Sequence, residues 1–329
     1  MKIAVVLFNL GGPDNPKAVE PFLYNLFNDE AIIRLPKIFR ALLAKIISVR
    51  RAKTAQAIYA QMGGSSPILK NTEAQASALE KHLNDASSEN TYKSFVAMRY
   101  WHPFADETAR NVKIFAPERI ILLPLYPQFS TTTTASSFKD WARAAKRNEL
   151  KASTQRICCY PQQGGFIDAL AKLTRERYVE AQKYGQPRIL FSAHGLPEKI
   201  IESGDPYRDQ CEMTVEALRR ELGALLATDT VLCFQSRVGP LKWITPATED
   251  EIRRAGQDKV PVVIVPIAFV SEHSETVVEL DIEYRHVANE AGVPFYAVVP
   301  TVGITSDFIV GLAELVWGEK KDCICGALN

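Results

Sequence analysis

Short β-branched apolar runs alternate along the chain with longer stretches of helical pattern. The runs Ile3–Phe8, Phe95–Arg99, Ile120–Leu125, Gln155–Tyr160, Arg188–Ser192, Thr230–Phe234, Val260–Ile267 and Phe295–Val299 are nearly continuous in apolar residues. Such runs suit strands covered on both faces. Strands that alternate with helical stretches predict βα units and parallel sheets.

The eight runs fall into two sets of four. VVLFNLGGP in the first set resembles ILFSAHGLP in the second, MRYWHP stands where CFQSRVGP stands, IILLPLYPQFS resembles VVIVPIAFVS, and ICCYP resembles YAVVP. The order is kept, which points to a divergent duplication; the alternative is the general likeness of any two α/β halves. The expected fold is α/β, with two similar Rossmann-like halves, each a four-stranded parallel sheet flanked by helices. The halves are expected at 1–152 and 153–302, and a terminal helix within 303–329 is expected to pack back on the first. In open parallel sheets, ligands sit beyond the carboxyl ends of the strands. Here those ends carry Asn9, Arg99, Tyr100, Gln128–Thr134, Ser192–His194, Gln235–Arg237 and Ser271–Glu275, so the site is expected in a cleft between the halves.

The first half also holds an insertion, IRLPKIFRALLAKIISVRR. Leu35, Ile38, Phe39, Leu42, Leu43, Ile46 and Ile47 recur at helical spacing among Arg34, Lys37, Arg40, Lys45, Arg50 and Arg51. This is either a core-facing amphipathic helix or an apolar lip that receives a hydrophobic ligand or rests on a membrane surface.

Composition narrows the class. The chain has 329 residues, 47% hydrophobic and 23% charged, with 39 basic against 38 acidic residues. These values fit a globular protein and show no basic excess for nucleic acid. The longest apolar run, Val260–Val270, is about half of the roughly 20 residues that a membrane span needs. MKIAVVLFNLGGPD reads as a first strand, because its apolar part is too short for a signal peptide and no small-residue cleavage site follows. The six cysteines in a chain of this size without an export signal argue against a disulfide framework, and the expected compartment is the cytoplasm.

Several cofactor signatures are missing: no G-x-G-x-x-G follows the first strand, Gly63-Gly64-Ser65-Ser66 lacks the Gly-Lys-Ser/Thr ending of a phosphate loop, and there is no G-x-S-x-G elbow. His194 follows the strand RILFSA directly. It is either a structural histidine or an imidazole placed to take protons or bind a metal. In SEHSETVVELDIEYRHVANEAG, a helix from about Ser274 puts Glu275, Glu279 and Glu283 on one side, with Val277, Leu280, Tyr284, Val287 and Ala291 opposite. The plain reading is a solvated face. The alternative is a line of carboxylates that starts in the site and hands cations or protons along it. A π-type turn would align the four-residue spacing better. Arg99 beside Tyr100, with Trp243 farther on, suits a flat, anionic, apolar ligand, or ordinary loop packing. Cys158-Cys159 and Cys323-x-Cys325 form no strong metal pattern.

The stretches LFNLGGP, RRAKTAQAIY with GGSSPI, MRYWHP, PLYPQFSTTT, FSAHGLP with GDPY, FQSRVGPLKW and PIAFVSEHSETVVELDIEY resemble, in order and over essentially the whole chain, the ferrochelatase family of bacterial type. Its members insert ferrous iron into protoporphyrin IX to make protohaem. The resemblance implies the two-half chelatase fold with porphyrin in the cleft. It assigns His194 and Glu275 to catalysis and metal contact, and His273, Glu279 and Glu283 to a metal or proton path. It assigns Leu10, Arg51, Tyr59, Ser66, Arg99, Tyr100, Trp243 and Phe269 to porphyrin, with Arg51, Tyr59 and Ser66 meeting a propionate. Ferrous iron is then a substrate. Some members hold a [2Fe–2S] cluster; Thr131 in place of the animal-type internal cysteine, and only Cys323 and Cys325 at the end, argue against that arrangement, while a set including Cys158 stays open. The apolar lip maps onto residues 32–47, with peripheral membrane contact as its implication. Two alternatives remain at this stage: a chelatase for coproporphyrin III or another metal, and a tetrapyrrole-binding protein without turnover. Oligomeric state is not readable from the sequence.

Overall fold

The computed structural model describes residues 1–223, 229–237, 239 and 241–318. The chain divides into two compact units, one of Met1–Cys159 joined by the stretch from Leu312, the other of Tyr160–Gly311.

In the first unit, strands β1 (Lys2–Asn9), β2 (Thr91–Met98), β3 (Arg119–Pro124) and β4 (Ser153–Arg156) alternate with helices α1 (Val19–Phe27), α2 (Lys37–Ala60), α3 (Ile68–Asp85), α4 (Ala105–Phe115) and α5 (Thr134–Arg147). The sheet order is β2-β1-β3-β4, and its pairs are parallel. The second unit opens on α6 (Gly164–Ala181) and continues through β5 (Arg188–His194), α7 (Glu198–Glu202), α8 (Tyr207–Leu222), β6 (Thr230–Gln235), α9 (Thr248–Asp258) and β7 (Val262–Pro266). A π-helix (Glu275–Glu283), α10 (Tyr284–Glu290), β8 (Tyr296–Val298) and the first half of α11 (Ser306–Trp317) complete it. Its sheet order is β6-β5-β7-β8, again parallel. The two orders correspond strand for strand, as the repeated sequence pattern predicts.

The apolar runs form strands because helices cover both faces. In β1, every residue from Ile3 to Asn9 is buried. Val6, Phe8, Ile120 and Leu122 pack with Phe138 and Trp141 of α5, whose rings meet Phe8 edge-on at 5.8 and 5.9 Å. In the second unit, Leu190, Val262 and Ile264 pack with Ile252, Leu280 and Tyr284. Each such buried aliphatic or aromatic side chain contributes about 1.5–3 kcal/mol.

Two strands differ from their predicted extents by more than two residues at an end, both at the margins of the first sheet. β2 begins at Thr91, before the expected Phe95. It is an edge strand, so Thr91–Ser94 alternate between exposed and covered positions and carry no apolar run. Its outer edge is closed by side chains: Asn84 bonds the N–H and carbonyl of Tyr92, and Glu80 accepts from the Ser94 N–H at 2.7 Å. β4 ends at Arg156, and the apolar residues after it are buried away from the ladder, with Cys158 and Cys159 against Phe129. The unit boundary also falls later than the expected 152, and the chain rejoins the first unit at Leu312, inside α11. The first turn of α11 packs on α6, where Phe308 meets Phe166 at 6.1 Å. Its last turn meets α3, where Trp317 lies 5.7 Å from His82.

In each sheet the chain runs from the second position outward, then returns to the other side. The order therefore reverses between β1 and β3, and between β5 and β7. Ligands in open α/β sheets bind at the carboxyl ends of such strand pairs.

Candidate active site

β5 ends in His194. The following Gly195 sits so close to β6 that an added Cβ would stand 2.7 Å from the Gln235 carbonyl oxygen. Its N–H donates to that oxygen at 2.8 Å. This close approach fixes the loop and the histidine before it. Beyond β7, the segment from Ser271 turns into the π-helix. Glu272 anchors the turn by accepting from the Thr301 N–H at 2.8 Å and from Thr276 Oγ1 at 2.5 Å.

The reversal between β5 and β7 thus brings two distant residues together. His194 Nδ1 lies 2.9 Å from Glu275 Oε2. His273 Nε2 lies 3.6 Å from the same oxygen, while His273 Nδ1 donates to the Ser271 carbonyl at 3.0 Å and its ring meets Phe269 at 4.7 Å. Glu279, one turn on, accepts from the Ser236 N–H at 2.8 Å, Ser236 Oγ at 2.5 Å, Gln235 Nε2 at 3.1 Å and Tyr284 Oη at 3.1 Å. Ser236 holds a φ of 65°, a left-handed conformation that turns its N–H and hydroxyl onto one carboxylate. Trp243 runs beside the loop after His194: it bridges Pro197, and Ile244 N–H donates to the Leu196 carbonyl at 3.0 Å.

Charge follows from this geometry. Burial lowers the His194 pKa, but the Glu275 carboxylate, its hydrogen bond and the more distant Glu279 outweigh it, and the net shift is upward. Burial raises the Glu275 pKa, yet His194 and His273 hold that carboxyl well below the usual range. Glu279 moves the other way. Burial and the neighbouring Glu275 charge raise it, against the donors from Ser236 and Gln235. Two carboxylates one turn apart are thereby separated, one kept ionised and one more ready to take a proton.

The acidic line of the sequence is only partly gathered. Glu275 and Glu279 are half-buried, and Glu283 is exposed. The helix is a π-helix across all three, and its buried residues are Thr276, Val278 and Leu280. A regular α-helix would have put Val277 in the core; the wider turn puts Val278 there. Among the described residues, no group of three or more His, Cys, Asp or Glu side chains forms a metal cage. Cys323 and Cys325 lie outside the described residues. Cys158 and Cys159 lie side by side, their sulfurs 3.3 Å apart, and Cys211 and Cys233 are buried thiols outside any disulfide.

Most of the porphyrin-assigned residues of the first unit gather at the carboxyl end of its sheet. Tyr59 and Tyr100 are buried in one apolar cluster, and Leu10 packs against it. Ser66 packs on Gly12, where a Cβ would come within 2.6 Å. Arg51 is exposed and stands 5.8 Å from the Phe27 ring. Arg99 and Tyr100 are engaged inside the protein. Arg99 Nη2 pairs with Asp29 Oδ2 at 2.7 Å and Nε donates to Ser136 Oγ at 2.7 Å. Tyr100 is 1% exposed and its hydroxyl donates to Asp29 Oδ2 at 2.8 Å. Sequence reasoning placed Ser236 among the strand-end residues without giving it a partner, and missed Asp29, Ser136 and Tyr284, for which it had no signal.

The ferrochelatase family model matches residues 2–320. The ferrochelatase of Phenylobacterium zucineum is 55% identical over 320 residues, covering 97% of this chain and 91% of the relative. The chain belongs to the ferrochelatase family. A ferrochelatase of Caulobacter vibrioides is 54% identical over 315 residues, covering 96% and 89%. That of Pelagibacter ubique is 50% identical over 316 residues, covering 96% and 91%. Among solved structures, the sirohydrochlorin chelatase SirB from Bacillus subtilis in complex with cobalt superposes with a TM-score of 0.53 at 12% identity, covering 96% of this chain and 94% of that one. DR2241 from Deinococcus radiodurans gives 0.54 at 13% identity, covering 97% and 56%. At these identities the two structures show the fold alone, and the family membership rests on the ferrochelatase relatives.

Proposed function

We infer that this ferrochelatase-family enzyme inserts ferrous iron into protoporphyrin IX, with release of two protons, as the terminal step of haem formation. The observation that carries the reading is the His194–Glu275 pair, 2.9 Å apart at a strand end, backed one turn later by Glu279. A free porphyrin is planar, and its two inner N–H groups obstruct a metal approaching along the ring normal. Two protons must leave as one divalent ion enters. Glu275, held ionised, keeps a proton on His194 Nδ1; a neutral His194 then carries its lone pair on Nε2, ready to take a pyrrole proton or to contact iron. Glu279, with its raised pKa, is the group suited to receive a proton passed on from that pair. The three groups titrate as a coupled set. Binding energy from the rest of the macrocycle supplies the strain that tilts a pyrrole nitrogen out of plane.

Leu10, Arg51, Tyr59, Ser66, Arg99, Trp243 and Phe269 are proposed to serve the tetrapyrrole, and His273 with Glu279 the path of metal or protons; Glu283 would be the outer end of that path. Iron enters as substrate. We also propose that α2 touches a membrane surface: Ile38 is 81%, Phe39 65% and Leu42 62% exposed, and basic residues flank them. No helix among the described residues is long and apolar enough to cross a membrane, so such contact would be peripheral. Flotation with anionic vesicles tests it: Ile38→Asp with Phe39→Asp is expected to abolish co-flotation with little change in thermal midpoint.

An anaerobic assay with ferrous iron and protoporphyrin IX, followed by Soret absorbance, tests the main reading. Multiple turnovers are expected, with a higher initial rate than on coproporphyrin III, since the apolar lip favours the less polar macrocycle. Stoichiometric binding of porphyrin without insertion would refute it.

A further inference from the structure

Two charge clusters, each built on one buried charged side chain, stand out. One lies at the start of β5, where Arg188 is 5% exposed and pairs with Asp229 and Asp258. That is the amino end of a strand, away from where ligands bind in such sheets. The other centres on Asp29, in the loop between α1 and α2, and lies at the carboxyl end of β2.

Asp29 is 6% exposed. Its Oδ2 accepts from Arg99 Nη2 at 2.7 Å, Tyr100 Oη at 2.8 Å and Ser136 Oγ at 2.6 Å. Its Oδ1 accepts from the Ala31 N–H at 3.0 Å. Burial raises its pKa, but Arg99 and the hydrogen bonds outweigh that, and the carboxyl stays below its ordinary value. One carboxylate therefore joins the end of β2, the first turn of α5 and the root of the segment leading into α2. The same root is tied twice more. Asn25 Nδ2 donates to the Tyr100 carbonyl at 3.1 Å, and Arg40 of α2 donates to the carbonyls of Asn28 and Leu35 at 2.9 and 3.0 Å.

This arrangement constrains Arg99 in particular. Its Nε is held by Ser136 and its Nη2 by Asp29, so the planar fork has one orientation. Its side chain is still 18% exposed, and Nη1 stands 3.9 Å from Asp140 Oδ2. Without Asp29, the guanidinium has an alternative carboxylate within reach and no reason to keep its aim. Fixed charged donors recognise a carboxylate far better than mobile ones. Tyr100, by contrast, has no surface to offer a ligand, and its hydroxyl is spent on Asp29.

We propose that Asp29 is a positioning residue for tetrapyrrole binding: its carboxylate aims the Arg99 guanidinium and anchors the root of the α1–α2 segment, while Tyr100 and Ser136 hold that carboxylate in place. Asp29 itself does not touch the substrate. The inference rests on the reading that Arg99 serves the tetrapyrrole.

The test uses the full chain in the anaerobic insertion assay, with protoporphyrin and iron varied separately. Asp29→Asn keeps the shape and removes the charge. It is expected to raise the porphyrin KM about tenfold, the effect of losing one hydrogen bond to a charged group. The iron KM and kcat should change by less than about threefold on the same scale. Arg99→Met should also raise the porphyrin KM, and adding Asp29→Asn to it should cause no further rise. Equal rises with Arg99 present and absent would mean that Asp29 acts only on the fold, and would overturn the proposal. So would an unchanged porphyrin KM in folded Asp29→Asn. An unchanged KM in Arg99→Met would instead remove the reading of Arg99 itself. Should Asp29→Asn fail to fold, Ser136→Ala removes one tether from both Asp29 and Arg99 without stranding a charge; a smaller rise in porphyrin KM supports the proposal, and an unchanged KM overturns it.

Discussion

Replacing His194 by Ala removes the imidazole from the pair that carries the proposed chemistry. The stability cost can be bounded from its contacts. Breaking a fully buried ion pair by deleting one partner costs about 3–5 kcal/mol. Here the His194 side chain is 36% exposed, and Glu275 keeps His273 at 3.6 Å. Solvent screening and the surviving partner reduce the cost to about 1–2 kcal/mol. In a unit of this size that lowers the thermal midpoint by roughly 2–8 °C, which leaves the variant folded at assay temperature. Loss of a general acid or base costs about 10²–10⁴-fold in rate. The expected result at saturating protoporphyrin is therefore a fall in kcat of that size, with porphyrin affinity, read from fluorescence quenching, largely kept. Glu275→Gln should cost a similar factor, and the double variant little more than either alone, because groups that act as one unit do not add. Turnover of His194→Ala within about threefold of the unmodified protein would refute the assignment, as would multiplicative losses in the double variant.

Glu279→Gln should raise the apparent KM for iron or lower kcat by about tenfold while sparing the porphyrin KM; an effect on porphyrin affinity alone would make Glu279 part of a wall, not a path. Gly195→Ala must move its new Cβ away from the Gln235 carbonyl, 2.7 Å distant. It should cost about 1–3 kcal/mol in urea unfolding, together with lost activity; a neutral outcome would show that the loop tolerates displacement. The stability difference between the unmodified protein and Glu275→Gln should depend on pH. The lowered Glu275 pKa contributes stability that is present above the ordinary value of 4.5 and is lost as pH falls through its folded pKa. The raised His194 pKa contributes stability that is fully present below 6.5 and is lost as pH rises through its folded value. The difference should thus be widest between those two values and narrow toward alkaline pH; a difference that grows there would show that the pair is not charged as described.

Which residues form strands, and that they come in two matched sets, was legible in the sequence. Near-continuous apolar runs have few other places to go, and the repeated order LFNLGGP to ICCYP against LFSAHGLP to AVVP gives the two matched sets without coordinates. The placement of His194 and of the Glu275–Glu279 pair beyond strand ends was also legible, because residues directly after a strand are delivered to that edge by connectivity alone. The strand extents were less secure at sheet margins, where β2 alternates and the cysteines after β4 bury themselves off the ladder.

What only the tertiary structure decided are the pairings between residues far apart in the chain. His194 meets Glu275 across 81 positions, and Asp29 meets Arg99 across 70 and Ser136 across 107. No local periodicity encodes such contacts; they follow from strand order and packing. The same holds for the π-helix, whose wider turn moves Val278 into the core and Glu283 out to solvent. It holds for Tyr100, placed at a ligand edge by sequence and turned inward by a buried carboxylate. Local sequence sets which side chains a strand or helix can present, and the fold sets which of them are covered, paired and charged.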